Sequence, residues 1–270
     1  MIKARIIQIR KKFKEYGIDG YIIPKNDEFF SEYSNRDRLK TISNFSGSAG
    51  YAIILKKKNY LFVDGRYNIQ AHIEAGDNYK IVKYEKIVNC DLFKNLTIGI
   101  DPQLFTSDQI NKFFIKYNFV KEIKTNLIDN ISRKFFFKKK IFYCLDDKII
   151  GESYKKKIDR VSKFLRLKKL DYLFVSAPEN VAWLLNIRGY DNPCSPIPNC
   201  RLLIDKKRNF FLISERDKVK NLILNKRITK NQFISIDKYE FFLNKIKKGK
   251  IIIDKKSCSI FYENLLKKKI

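Results

Sequence analysis

Asn44–Ala71 reads NFSGSAG, YAIIL, KKKN, YLFV, DGRYNIQA. Two apolar runs, Tyr51–Leu55 and Tyr60–Val63, flank a polar turn of four residues and so read as a β-hairpin. Asp64-Gly65-Arg66 breaks the second strand, and Tyr67–Ala75 reads as a helix closed by Gly76. The glycine-rich approach, Ser46–Gly50, reads as a tight turn leading into the hairpin. It could also form an anion-binding nest of backbone N–H groups. It lacks the GxxxxGK[ST] pattern of a phosphate loop, and no second glycine-rich element supports it.

A partial copy of this region lies about 150 residues further on. Ile18–Ile23 corresponds to Leu170–Val175, and Ile42–Gly47 to Leu184–Gly189. The hairpin corresponds to Arg201–Ile204, DKKRN and Phe210–Ile213. Thr97–Asp101 corresponds to Lys250–Asp254. Asp19 and Asp171 are 152 residues apart, and Asp101 and Asp254 are 153 apart. Matches in order at near-constant offset mean duplicated domains. A chain of 270 residues accommodates two, each able to bury a core.

The remaining elements follow from periodicity. Ile2, Ile6, Ile9, Phe13 and Tyr16 form one helix face ending near Gly17, and a strand Tyr21–Ile23 stops at Pro24. Residues 25–41 are polar and read as a loop with a helical turn. Lys80–Tyr84 and Thr97–Ile100 read as strands, and Ser107–Tyr117 as a helix capped by Ser107. In the second half, Tyr154, Ile158, Val161 and Leu165 form a helix stripe. Strands follow near 172–176, 201–204, 210–213, 233–236 and 250–253, and Gly189–Pro198 is irregular. The expected fold class is α/β: two domains, each a mixed β-sheet covered by helices. The expected division is 1–135, a linker at 136–150, and 151–270.

Composition excludes several classes. A hydrophobic content of 44% argues against disorder. No apolar run approaches the ~18–20 residues a membrane helix needs, and Ile6–Ile9 runs straight into Arg10-Lys11-Lys12 rather than a signal-peptide core. The expectation is a cytoplasmic protein with no membrane partner. Cys90, Cys144, Cys194, Cys200 and Cys258 are odd in number and contain no CxxC, so neither a disulfide framework nor a zinc site is expected. The net charge of +28 comes from lysines spread along the whole chain. That predicts weak, salt-dependent attraction to polyanions and no specific nucleic-acid partner. The one candidate contact, Arg133–Lys140 (RKFFFKKK), reads better as an interdomain segment with packed phenylalanines and wet lysines.

IDGYIIP (18–24), SEY (31–33), FSGSAG (45–50), VDGRY (63–67) and VAWLLNIRG followed by Asp191 and Pro193 (181–193) together resemble the N-terminal half of an Xaa-Pro aminopeptidase. The closest resemblance is to the long form, with two creatinase-type N-terminal domains, and it covers nearly the whole chain. It departs at Phe29 and Cys194, where members often carry His. The resemblance implies a third, pita-bread domain holding two divalent metal ions, manganese, through two Asp, one His and two Glu. That domain has no counterpart in these 270 residues. The chain is therefore expected to be a truncated, split or fragmentary product, to hold no metal itself and to be inactive alone. Its expected role is dimerisation and control of access to the cleft, with a homodimer or a catalytic pita-bread domain as partner. Short Xaa-Pro peptides would be substrates of the full enzyme only. The alternative is a stand-alone pseudoenzyme fragment that acts as an interaction module.

No catalytic residue is expected in this chain. The single histidine, His72, has Glu74 two residues on and off its helix face, so the two do not make a metal-ligand pair. Six residues are candidates for a substrate cleft or domain interface. Arg66 could clamp a carboxylate bidentately, or could pair locally with Asp64 and fix the turn before Tyr67. Trp183, the only tryptophan, is expected as a core anchor. Arg188 and Asp191 are expected to face the catalytic domain.

Overall fold

The computed structural model describes residues 2–33, 36–88, 91–114, 119–131 and 140–267. The chain divides into two compact units, Met1–Phe136 and Phe137–Ile270.

The first unit runs α1 (Ile2–Tyr16), β1 (Gly20–Pro24), α2 (Arg38–Ser43), β2 (Gly50–Leu55), β3 (Asn59–Val63), α3 (Asn68–Ala75), β4 (Lys80–Lys83), β5 (Thr97–Ile100), α4 (Ser107–Phe114) and β6 (Phe119–Glu122). Its strands form one sheet in the order β4-β3-β2-β1-β5-β6. The β1–β2 and β2–β3 pairs are antiparallel, and β1–β5, β3–β4 and β5–β6 are parallel. The central strands β1 and β2 are buried along their whole length because helices or loops cover both faces. Tyr21, Ile23, Ala52, Ile54, Leu61 and Val63 alternate onto one face, where the stripe Ile2, Ile6, Ile9 and Phe13 of α1 packs with α2 and α3. Each such buried apolar side chain contributes about 1.5–3 kcal/mol relative to exposure. The other face is aromatic: Tyr51 packs against Tyr84, Phe105 and Phe113, and Phe62 against Phe93. Gly17 ends α1 in the left-handed region at φ 56°, where a side chain would be strained.

Three local expectations change. Residues 25–41 are not simply a polar loop, because Arg38 opens α2 and is 2% exposed. The cap of α4 is Thr106: its Oγ1 accepts from the Gln109 N–H at 3.1 Å while the Gln109 side chain accepts from the Thr106 N–H at 2.9 Å. Most of the RKFFFKKK segment lies outside the described residues.

The second unit runs β7 (Tyr143–Cys144), α5 (Tyr154–Leu167), β8 (Tyr172–Val175), α6 (Pro178–Leu185), β9 (Ile187–Arg188), β10 (Arg201–Asp205), β11 (Phe210–Ser214), α7 (Lys220–Leu224), β12 (Phe233–Ser235), α8 (Tyr239–Lys245), β13 (Ile251–Ile253) and α9 (Ile260–Lys267). Its main sheet has the order β12-β11-β10-β8-β13, again antiparallel at the centre and parallel at both flanks. Leu202, Ile204, Phe210 and Leu212 face a cluster built with α5, α6 and α7. Leu203 and Ile213 face the opposite cluster, built with α8 and α9. Phe142 and β7, inside the stretch read as a linker, pack on this unit. Phe142 is fully buried, and β7 pairs with β9.

The duplication extends to hydrogen bonds. The Asp19 carboxylate accepts from the Thr97 N–H and from Lys56. The Asp171 carboxylate accepts from the Lys250 N–H and from Lys206. Asn44 and Asn186 both close a helix in the left-handed conformation, at φ 64° and 53°. Asp101 and Asp254 each accept a backbone N–H two residues on.

Candidate functional site

In the first unit the hairpin and α3 gather the candidates. Asp64 ends β3 and accepts from the Arg66 N–H at 3.0 Å, fixing the turn. Its carboxylate also pairs with the Arg66 Nε at 2.9 Å. That pair holds the Asp64 carboxyl below its ordinary range and the Arg66 guanidinium above its own. Arg66 is thus engaged locally, yet its side chain remains 74% exposed. Tyr67 accepts the guanidinium over its ring at 5.5 Å, and its hydroxyl shares a hydrogen bond with Ser48 at 2.9 Å.

The glycine-rich turn is braced by α3. The Ser46 N–H donates to Glu74 Oε2 at 2.7 Å, and the Ser46 hydroxyl donates to Oε1 at 2.6 Å. Gln70 ties both together. Burial pushes the Glu74 carboxyl up, but these donors outweigh it and hold it below its ordinary value. The nest reading therefore finds its anion inside the chain, and the turn is a strand leader. Gly50 is required because a Cβ there would lie 2.7 Å from the Phe62 carbonyl oxygen.

Arg38 was missed as a sequence signal. Its Nε and Nη2 grip both Asp129 oxygens at 2.8 Å, and Nη2 also donates to Glu28. The Glu28 carboxyl is raised by burial but held below its ordinary range by the Arg38 charge and hydrogen bond. The partners lie 10 and 91 residues away in sequence, and neither spacing is a recognisable pattern.

In the second unit, Trp183 is not a core anchor. It sits on α6 and is 51% exposed, with the Lys157 ammonium 4.1 Å from its ring centroid. Lys157 is itself buried, donating to the Trp183 carbonyl at 2.8 Å and the Asn186 side chain at 2.7 Å. Desolvation lowers its pKa. A helix cannot bury both the lysine and the large ring at this junction, and the lysine, with two acceptors, takes the inside. A lysine inside the stripe Tyr154, Ile158, Val161 was the available signal. Trp183 instead walls a pocket of about 280 Å3 whose polar end holds Ser176, Ser257 and Asp254. Arg188 donates to the Ala182 and Ile187 carbonyls at 3.2 and 2.8 Å, satisfying the end of α6. Asp191 accepts from the Asn199 N–H and pairs with Lys218 at 2.8 Å. Burial lowers the Lys218 pKa, but Asp191 and then Glu215 reverse this and raise it.

A dinuclear metal centre does not fit these residues. Among the described residues, no group of three or more His, Cys, Asp or Glu side chains is arranged to hold a metal ion. His72 is exposed on α3. No helix among the described residues is long and apolar enough to cross a membrane.

Comparison with known proteins gives this architecture a family. Residues 5–121 and 136–270 each match a family described as the creatinase/prolidase N-terminal domain. Xaa-Pro aminopeptidase 1 of Dictyostelium discoideum is 30% identical over 301 residues, covering 99% of this chain and 47% of the relative. A Laccaria bicolor protein named "Probable Xaa-Pro aminopeptidase P" is 32% identical over 210 residues, covering 72% of this chain and 33% of its own length. The chain thus spans at most about half the length of these relatives. The fold is that of the X-prolyl aminopeptidase of Caenorhabditis elegans, described as a cytosolic enzyme with a dinuclear active site. The TM-score is 0.78 at 24% identity, covering 90% of this chain and 44% of that one. The chain belongs to the creatinase/prolidase N-terminal domain family and carries two copies of that domain, in the N-terminal region shared with Xaa-Pro aminopeptidases.

Proposed function

We propose that the chain serves as the non-catalytic N-terminal region of an Xaa-Pro aminopeptidase, in the cytoplasm, where it supports dimerisation and restricts access to the catalytic cleft. The observation that carries this reading is the match to Xaa-Pro aminopeptidase 1 along 99% of the chain. The absence of a metal-holding cluster among the described residues is consistent with a supporting role. Hydrolysis of short Xaa-Pro peptides, and the two divalent ions it needs, then belong to a pita-bread catalytic domain.

The exposed groups suited to a cleft wall are Arg66 with Tyr67 and Trp183 with its flanking cations. Arg188 and Asp191 support them, since both are committed to internal partners. The test is to assay a family catalytic domain, loaded with manganese, on Xaa-Pro peptides of increasing length, with and without the 270-residue chain. The reading expects cleavage of long peptides to fall selectively when the chain is added, with Arg66→Glu weakening that selectivity. Identical length profiles with and without the chain would overturn it.

A further inference from the structure

The two copies differ at one sheet edge. In the first unit, β5 leads through α4 into β6, which lies parallel to β5 in the register Thr97↔Phe119 to Ile100↔Glu122. In the second unit, β13 occupies the place of β5, parallel to β8 as β5 is to β1. The turn after each strand is the same: Asp101 and Asp254 each accept the N–H of the second residue on, and the backbone carbonyl of each accepts the N–H of the third. The following helix, α9, stands where α4 stands in chain order. Among the described residues, however, β13 ends the sheet and no strand lies on its outer edge.

That edge is three isoleucines, each only partly buried. An open apolar edge is a template for pairing with another chain. We infer that the outer edge of β13 is a docking site for an extended segment of a partner polypeptide, which adds parallel to Ile251–Ile253 in the place that β6 fills beside β5. The flanks specify the partner's chemistry. Lys247, Lys248 and Lys250 precede the strand, and Lys255 and Lys256 follow it. All five are exposed and, among the described residues, none has an ion-pair partner. The acids nearby are already engaged: Asp171 by Lys206 and the Lys250 N–H, and Asp254 by its own turn. The fitting partner is therefore an apolar β-strand with acidic flanks. A second copy of this chain does not fit, since two edges related by a twofold axis pair antiparallel and would set lysine flank against lysine flank on molecules each carrying +28.

The test is backbone hydrogen exchange on the full chain with a synthetic peptide of about ten residues, alternating Val and Thr between glutamate pairs. Three peptides are compared: this one, the same peptide with a central proline, and one with lysine flanks. The inference expects the acidic peptide to slow exchange of the β13 amides at least about tenfold, while the other two leave them unchanged. Circular dichroism confirms that the chain stays folded in each mixture. The inference is overturned by unchanged β13 exchange at saturating acidic peptide, or by equal slowing with the proline peptide, which would be charge attraction alone. Protection of β13 without peptide, in a chain that sediments as a dimer, would overturn it in favour of a second copy.

Discussion

Arg38 carries the largest single-residue consequence in the first unit. A buried guanidinium gripping Asp129 with two hydrogen bonds cannot be replaced by an ammonium, which offers no planar fork. Removing one partner of a buried ionic cluster costs about 3–5 kcal/mol. Glu28 and Asp129 keep a quarter or more of their side chains exposed, which places Arg38→Ala near the low end. Urea unfolding should show a loss of about 3 kcal/mol, with Arg38→Lys recovering only part of it. The same cluster sets a pH dependence. The Glu28 carboxyl is depressed in the folded state, so its contribution is present above the ordinary carboxylate range and lost as pH falls through its folded value. Asp101 has the opposite sign: burial raises its pKa, so it disfavours folding at neutral pH and is relieved by acid. Glu28→Gln should therefore lower stability at pH 7 and flatten the acid limb of the stability profile. An unchanged acid limb would mean that Glu28 does not titrate against Arg38. Trp183 offers a spectroscopic check as the only tryptophan: its emission should be red-shifted and quenched by soluble iodide. Trp183→Ala should cost well under the roughly 3–5 kcal/mol of a core tryptophan.

At the scale of elements, the hairpin, the Asp64 break and the helix after it were legible from Asn44–Ala71, because turn chemistry and a strict switch from strand to helix pattern are local signals. The duplication was legible too, since Asp19 and Asp171 repeat one structural task at one offset. What escaped was set by partners distant in sequence. Arg38 looks like a loop charge until Asp129 arrives, and Trp183 looks like a core residue until Lys157 takes the inside of the α5–α6 junction. The strand β6 escaped because FVKE is short, exposed and charged, and only the edge of β5 makes it a strand. The strand-leading turn gives a prediction at this scale. Gly50→Ala puts a Cβ against the Phe62 carbonyl at the point where β2 meets β3. Overpacking against backbone costs about 1–3 kcal/mol. Thermal unfolding should show that loss, and a variant as stable as the parent would mean that the two strands have room to part there.

The whole molecule presents two copies of one sheet architecture, each closed around its own core. Its candidate surface groups are cations and aromatics, with no set of carboxylates and imidazole that could hold a metal pair among the described residues. The family explains this division of labour, since members of twice this length include an enzyme described as having a dinuclear active site. With a net charge of +28, binding to polyanions should weaken steeply as salt rises and show no sequence preference. The most direct test of the central claim is to incubate the purified 270-residue chain with manganese and a short Xaa-Pro peptide, measuring bound metal and released N-terminal residue together. The account predicts no stoichiometric metal and no release above the metal-only control. Two bound ions per chain with cleavage before proline would contradict it.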